Sequence, residues 1–193
     1  ELHYPLRRQR QMCIRDRPYL TEIALLPEVL GKSVRITDLP FLRRDAVRLI
    51  AVRRGTRVDR NPSLELTINA TDRLMVRVTA DELGDLARSE GYLVGLQNVG
   101  RPIRLAASAR SDDVQLIGLT ISPTHPALGR ELRDIPLLSN LPARVLGIGR
   151  ARHLPGPDLG SVRLRAADSL LVAANDAAIT ELRANTNLIA EDT

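Results

Sequence analysis

Apolar and polar positions repeat along this chain with a period of 96 residues. Leu66-Thr67-Ile68-Asn69-Ala70-Thr71-Asp72-Arg73-Leu74-Met75-Val76 matches Val162-Arg163-Leu164-Arg165-Ala166-Ala167-Asp168-Ser169-Leu170-Leu171-Val172, apolar against apolar and polar against polar. The same spacing sets Asp38-Leu39-Pro40 on Asp134-Ile135-Pro136, Arg48 on Arg144, Arg54 on Arg150 and Leu86 on Leu182. Leu30-Gly31-Lys32 meets Leu128-Gly129-Arg130 at a spacing of 98, which a two-residue change in one loop explains. Solenoid repeats run roughly 20 to 50 residues, so a period this long marks a duplicated small domain.

Within the first copy, Tyr19–Leu26 alternates and then saturates with apolar residues, predicting a half-buried strand that Pro27 ends. Val34, Leu39 and Leu42 suggest a short helix over Ser33–Arg44, broken at Pro40. Val47–Val52 is β-rich and turns through Arg53-Arg54-Gly55 into a return strand at Arg57–Asp59. Leu66–Ile68 is a brief strand, Asn69–Asp72 a tight connection and Arg73–Val78 a further strand. Thr79 then stands as N-cap, with Asp81 and Glu82 in the first turn of a helix over Ala80–Ser89 that puts Leu83 and Leu86 on one face.

The second copy predicts strands at Val114–Ser122, Arg144–Gly149 and Ser169–Ala173, a broken helix over Arg130–Leu138, and a helix capped by Asn175 that contains Ile179 and Leu182. Between the copies, Gly91–Ser111 reads as a linker with one strand-like patch at Tyr92–Leu96, and Asp112-Asp113 marks the entrance to the second. The expected fold is α+β, two similar domains over residues 18–90 and 112–185. Each is a mostly antiparallel sheet of about four strands with two helices, followed by a tail at 186–193.

Composition changes this picture at one end of the chain. Arg7–Arg17 reads as the translation of a common transposon-insertion sequencing adapter, so residues 1–17 are expected to be a scar that packs against nothing. The chain is then expected to be a fragment of a longer protein. That segment holds five arginines against Glu1 and Asp16, so most of the net charge of +5 belongs to it, and with it goes the charge argument for nucleic acid. It also holds Cys13, the one cysteine, which leaves no thiol for a disulfide, a zinc site or a nucleophile. With 44% hydrophobic and 2% aromatic residues, the cores must be packed from Leu, Ile, Val and Ala. No apolar run reaches the roughly 18 residues of a membrane span.

Catalytic patterns are weak. Gly147-Ile148-Gly149-Arg150 begins like a dinucleotide fingerprint, but the third glycine is missing and the pair lies within a strand. His125 and His153 have no Cys or Glu-x-x-His companion for a metal, and Ser122, His125 and Asp112 lack a Gly-x-Ser-x-Gly elbow. Asn69-Ala70-Thr71 has the form of a glycosylation acceptor but reads as turn chemistry. Asp72 and Asp168 read as turn carboxylates that accept backbone N–H groups. The binding candidates are arginines at the ends of the second strands, Arg53, Arg54, Arg150 and Arg152, whose guanidinium forks suit a phosphate or carboxylate; a solvated strand end is the competing reading.

The order of these parts, from the first strand and Leu30-Gly31 through an apolar strand ending in Arg54, the Asp72 turn and a capped helix, resembles the TrkA C-terminal domain. This is also called the C-terminal domain of the regulator of potassium conductance family, and the resemblance covers Tyr19–Ser89 and Val114–Ala184. The family usually has Gly before the Asp, where Thr71 and Ala167 stand here, so each turn must avoid positive φ or bear strain. The resemblance implies a regulatory module without catalytic residues, cofactor or metal, at the cytoplasmic face of the cell membrane. It implies partnership with a membrane domain of the same polypeptide or of a transporter, a homodimer or intramolecular pseudo-dimer, and a nucleotide or other small anion as the candidate ligand. Two copies with no Gly-rich nucleotide-binding half look most like the cytosolic insert of a divalent anion:sodium symporter-type permease. The alternatives are a module of potassium uptake or cation/proton antiport, or a structural dimerisation module that senses nothing.

Overall fold

The computed structural model describes residues 17–31, 34–96, 99, 114–135, 143–150 and 159–192. Strand β1 covers Pro18–Leu25, and Pro27 opens the single-turn helix α1, Pro27–Leu30, at a position where its missing N–H costs nothing. The helix expected over Ser33–Arg44 is replaced by a two-residue strand β2, Val34–Arg35, and two 3-10 turns, Ile36–Asp38 and Pro40–Arg43. Pro40 has no N–H to continue an α-helix through this stretch, and the apolar spacing is met by tighter turns that bury Ile36, Leu39 and Phe41. Strands β3, Val47–Arg54, and β4, Arg57–Asp59, form the expected hairpin around Gly55 at φ 60°. Strand β5, Thr67–Ile68, pairs with β2, and β6, Asp72–Thr79, leads into α2, Ala80–Arg88. Thr79 occupies the N-cap position without a side-chain hydrogen bond, and Asp81 and Glu82 face the helix dipole. Strand β7 is Tyr92–Val94.

The second half supplies β8, Val114–Ile121, a 3-10 turn at Leu132–Asp134, β9, Ala143–Gly149, and a 3-10 turn at Leu159–Ser161. It ends with β10, Ser169–Asn175, α3, Asp176–Ala184, and β11, Leu188–Asp192. These elements recur at the 96-residue spacing. The β2–β5 pair is echoed by the Glu131–Arg163 bridge, and Asn175 caps α3 by accepting the Ala178 N–H at 2.9 Å.

Four expectations are corrected. The halves do not fold as separate four-stranded sheets, because nine strands join one sheet in the order β11-β8-β10-β9-β1-β6-β3-β4, with β7 also on β1. The strand-like patch expected at Tyr92–Leu96 forms over Tyr92–Val94 but pairs with Leu25–Ile23 of β1 instead of lying in a linker, and the expected tail contains the edge strand β11, paired with β8. Arg17 does not project freely: its Nη1 donates to Ser169 Oγ at 2.5 Å and lies 3.4 Å from Thr120 Oγ1. Residues 1–16, most of 97–113, Asp112 and Asp113 included, and Arg152 lie outside the described residues. No described helix is long and apolar enough to cross a membrane.

Leu20 pairs with Ile148 where β1 meets β9, and both belong to the core that buries Ala178, Ile179 and Leu182 of α3. Adjacent Tyr19 belongs to the core that buries Leu83 and Leu86 of α2, together with Leu146 and Leu171 of the second half. Neighbours on a strand point to opposite faces, so the two cores, and the two helices, lie on opposite sides of the shared sheet. Each half therefore lends the back of its own strands to the other half's core.

Gly95 makes this seam. β7 and β11 start in the same register, Tyr92 against Leu25 and Leu188 against Ile121, but β11 continues along β8 to Asp192. At Gly95, φ of +121° turns the chain off β1: its N–H donates to Glu22 O at 3.0 Å, and the Leu96 N–H already donates to Val145 O of β9 at 3.0 Å. A Cβ there would sit 2.8 Å from Arg144 Nε and 2.9 Å from Val145 O, whereas a Cβ at Gly55 would meet nothing within 4 Å. Gly95→Ala is expected to lower unfolding stability by about 2 kcal/mol or more, against about 1 kcal/mol for Gly55→Ala, which adds only backbone strain. Chemical denaturation of the two variants checks the order.

Candidate functional site

Of the candidate arginines at the ends of the second strands, Arg53, Arg54 and Arg150 each bond a carboxylate of this chain. Arg54 Nε and Nη2 fork onto Asp72 Oδ1 and Oδ2 at 2.8 and 2.6 Å, and Nη2 also donates to Thr67 O at 3.0 Å. In the second half Arg150 forks onto Asp168 at the same 2.8 and 2.6 Å and donates to Arg163 O at 2.8 Å. Each carboxylate accepts one backbone N–H across its turn, from Asn69 at 2.9 Å and from Arg165 at 2.8 Å. The sequence read the arginine and the aspartate as separate sites; register joins them, since Arg54 stands opposite Asp72 across β3 and β6. Both carboxylates are buried, and they fill the guanidinium forks in place of an external anion. Burial by itself would raise the Asp72 carboxyl; the Arg54 fork, the Asn69 N–H and the charges of Arg54 and Arg73 together hold it below the usual carboxylate range.

The two turns resolve the missing glycine differently. Ala167 adopts φ 64°, in the left-handed region, whereas Thr71 does not enter it. One copy bears strain and the other avoids it.

A second set of buried polar groups lies along the seam. Glu22, 1% exposed in the middle of β1, pairs with Arg53 Nη2 at 3.1 Å and accepts the Leu159 N–H at 2.8 Å, so one carboxylate ties β3 of the first half to the 3-10 turn of the second. Thr21 Oγ1 donates to Leu146 O at 2.6 Å. Sequence reasoning missed both, although two polar residues inside an otherwise apolar strand were a usable signal. Arg53 is thus placed, like Arg54 and Arg150, on an internal carboxylate. Arg144 is 7% exposed on β9 beside Gly95, and burial pushes its guanidinium below its ordinary pKa.

The remaining described candidates are tied into local structure. Gly147 and Gly149 lie in β9, where a Cβ at Gly147 would stand 2.9 Å from Leu83 Cδ2 and 3.1 Å from Leu20 O, so this glycine admits α2 and β1 to close approach. Ser122 Oγ lies 2.9 Å from Thr124 Oγ1. His125 is buried above a cavity of about 10 Å³ bounded by Leu119, Ile121, Ile135, Leu164, Leu170 and Leu188. Its Nδ1 accepts the Ala127 N–H at 3.0 Å, which places the ring proton of the neutral form on Nε2. Among the described residues no group of His, Cys, Asp and Glu gathers as for a metal. His153 and Arg152 lie outside the described residues.

The described residues form one mixed α+β sheet that carries the same Arg–Asp clasp in each half. A TrkA-C domain is found at residues 116–187, from β8 through α3. No curated protein and no solved structure matches the chain.

Two outcomes follow from these geometries. Ala167→Gly relieves the left-handed strain and is expected to raise stability by about 0.5–1 kcal/mol, while Thr71→Gly, where φ is already negative, lowers it by about the same amount; thermal unfolding of both exposed sites decides. Burial lowers the His125 pKa, so the unfolded chain binds its proton first as pH falls. The stabilising contribution is complete above the ordinary histidine value of about 6.5 and is lost progressively below it. His125→Asn, which keeps an acceptor for the Ala127 N–H, is expected to flatten stability between about pH 7 and 5.

Proposed function

We propose that this chain is a non-catalytic regulatory pair of TrkA-C-like domains from the cytoplasmic face of a membrane ion transporter, and that the transporter is a sodium-coupled anion permease. The observation that carries the reading is the recurrence: the elements of the matched segment, β8 through α3, appear 96 residues upstream in the same order and with the same Arg–Asp clasp. Potassium or other cation transport is the alternative host, favoured by the family to which residues 116–187 belong.

The regulatory step we infer acts at the seam. One sheet runs through both halves, and Glu22 and Thr21 bond across it, so displacement of one half moves the back wall of the other half's core. This supports transmission of a force or a ligand signal to a neighbouring membrane domain, and it gives the arginine clasps a bracing role.

Flanking gene sequence tests the host. Hydrophobic spans on both sides support the permease, and an upstream Gly-x-Gly-x-x-Gly half supports the potassium regulator. Calorimetric titration with cyclic di-AMP, ATP, NAD and small dicarboxylates tests the sensing. Because the forks are filled, Arg150→Gln is expected to cost stability, by roughly 1.5–3 kcal/mol, and to leave any ligand heat unchanged. Heat that vanishes in an intact Arg54→Gln/Arg150→Gln protein would return these arginines to the ligand, and no heat from any compound would favour the structural module.

A further inference from the structure

Arg48 of β3 and Arg77 of β6 stand directly opposite each other in the register. Val47, Val76 and Val78 belong to the core on the α2 side, so Arg48 and Arg77, alternating with them, project from the other face of the sheet. Both are exposed, and neither forms an ion pair with a described residue. Like charges directly opposite on neighbouring strands destabilise a sheet. The register that imposes this is fixed by buried neighbours, so no slip relieves it.

The strands that flank the pair offer no counter-charge. On the same face β1 presents Leu20, opposite Arg77, and Glu22, whose carboxylate is committed to Arg53 and the Leu159 N–H. Beyond Ala51 and Met75 on this face, the following opposed pair is again two arginines, Arg53 and Arg73, the latter turned onto Ala70 O and Asp72 O.

The second half shows what this face does when it is covered. Arg144 occupies the position of Arg48, its opposite residue is Ala173 in place of a second arginine, and it lies buried beside Gly95. The face that docks within the chain in one half is thus open in the other, and there it carries a doubled positive charge that would repel a further copy of the same docking surface.

We propose that the Arg48–Arg77 face is a docking surface for a phosphate-bearing anionic membrane. Two guanidiniums side by side on an exposed strand face suit a continuous array of phosphate groups. The inference goes beyond the regulatory reading and does not depend on which transporter, if any, hosts the chain.

The test is co-sedimentation of the full chain with phosphatidylglycerol-containing vesicles and with neutral phosphatidylcholine vesicles, for the wild type, Arg48→Gln/Arg77→Gln, and Arg57→Gln/Arg60→Gln as an exposed control. The basic segment at residues 7–17 is present in all three, so only differences between them count. Binding to anionic vesicles alone, weakened by salt, reduced about tenfold or more in the Arg48/Arg77 variant and much less in the control, is the expected result. The Arg48/Arg77 variant should also melt higher than the wild type, because the repulsion is removed. Equal vesicle binding by the wild type and the Arg48/Arg77 variant would overturn the proposal. So would a wild type that ignores anionic vesicles yet is stabilised by inorganic phosphate through these arginines, which would assign the face to a soluble anion.

Discussion

The antiparallel seam between β1 and β9 is the interaction on which the rest of this structure depends. β1 is hydrogen-bonded to β6 along one edge and gives its other edge to β7 and β9 in succession. That handover needs a residue able to leave the sheet at φ of +121° with no side chain in the way, and Gly95 supplies it. With the seam in place, Leu20 and Ile148 enter one core while Tyr19 and Leu146 enter the other. Neither core is complete within one half. Buried apolar area is the main favourable term in folding, so an arrangement in which each half supplies part of the other's core couples their stabilities.

Against that apolar background the charged groups divide into two kinds. Asp72 and Asp168 are held by forked arginines from adjacent strands, a geometry that removes the cost of burying a carboxylate close to the turn it stabilises. Glu22 is held across the seam and ties the halves by its position. The two clasps differ in surroundings: the Arg54 side chain is 47% exposed and that of Arg150 12%, so solvent screens the first pair more than the second. A duplicated motif has thus come to sit in unequal environments, as Arg48 and Arg144 also have.

Much of this was legible in the chain. The alternation of β1, the hairpin of β3 and β4, the acids at the start of α2 and the cap at Asn175 follow from local preferences that act within a few residues, and the structure keeps them with boundaries shifted by one or two positions. Where the reading failed, the deciding partner was far away in sequence. The Ser33–Arg44 stretch has helical spacing, but β2 takes its partner from β5, and Pro40 leaves room only for 3-10 turns. Arg54 looked like a free fork because its carboxylate lies 18 residues on, across a register that periodicity does not specify.

By itself the sequence determined the duplication, the type of most elements, and which residues are apolar enough to be buried, because these rest on side-chain chemistry repeated at a fixed spacing. Only the tertiary structure decided that the two copies share one sheet, that their helices lie on opposite faces, that Arg53, Arg54 and Arg150 are paired with carboxylates of the same chain, and that of two equivalent arginines Arg144 is buried and Arg48 exposed. The physical reason is the same in each case. Strand pairing and ion pairing are choices of partner, and a linear pattern of polar and apolar residues states what must be buried or paired without stating against what.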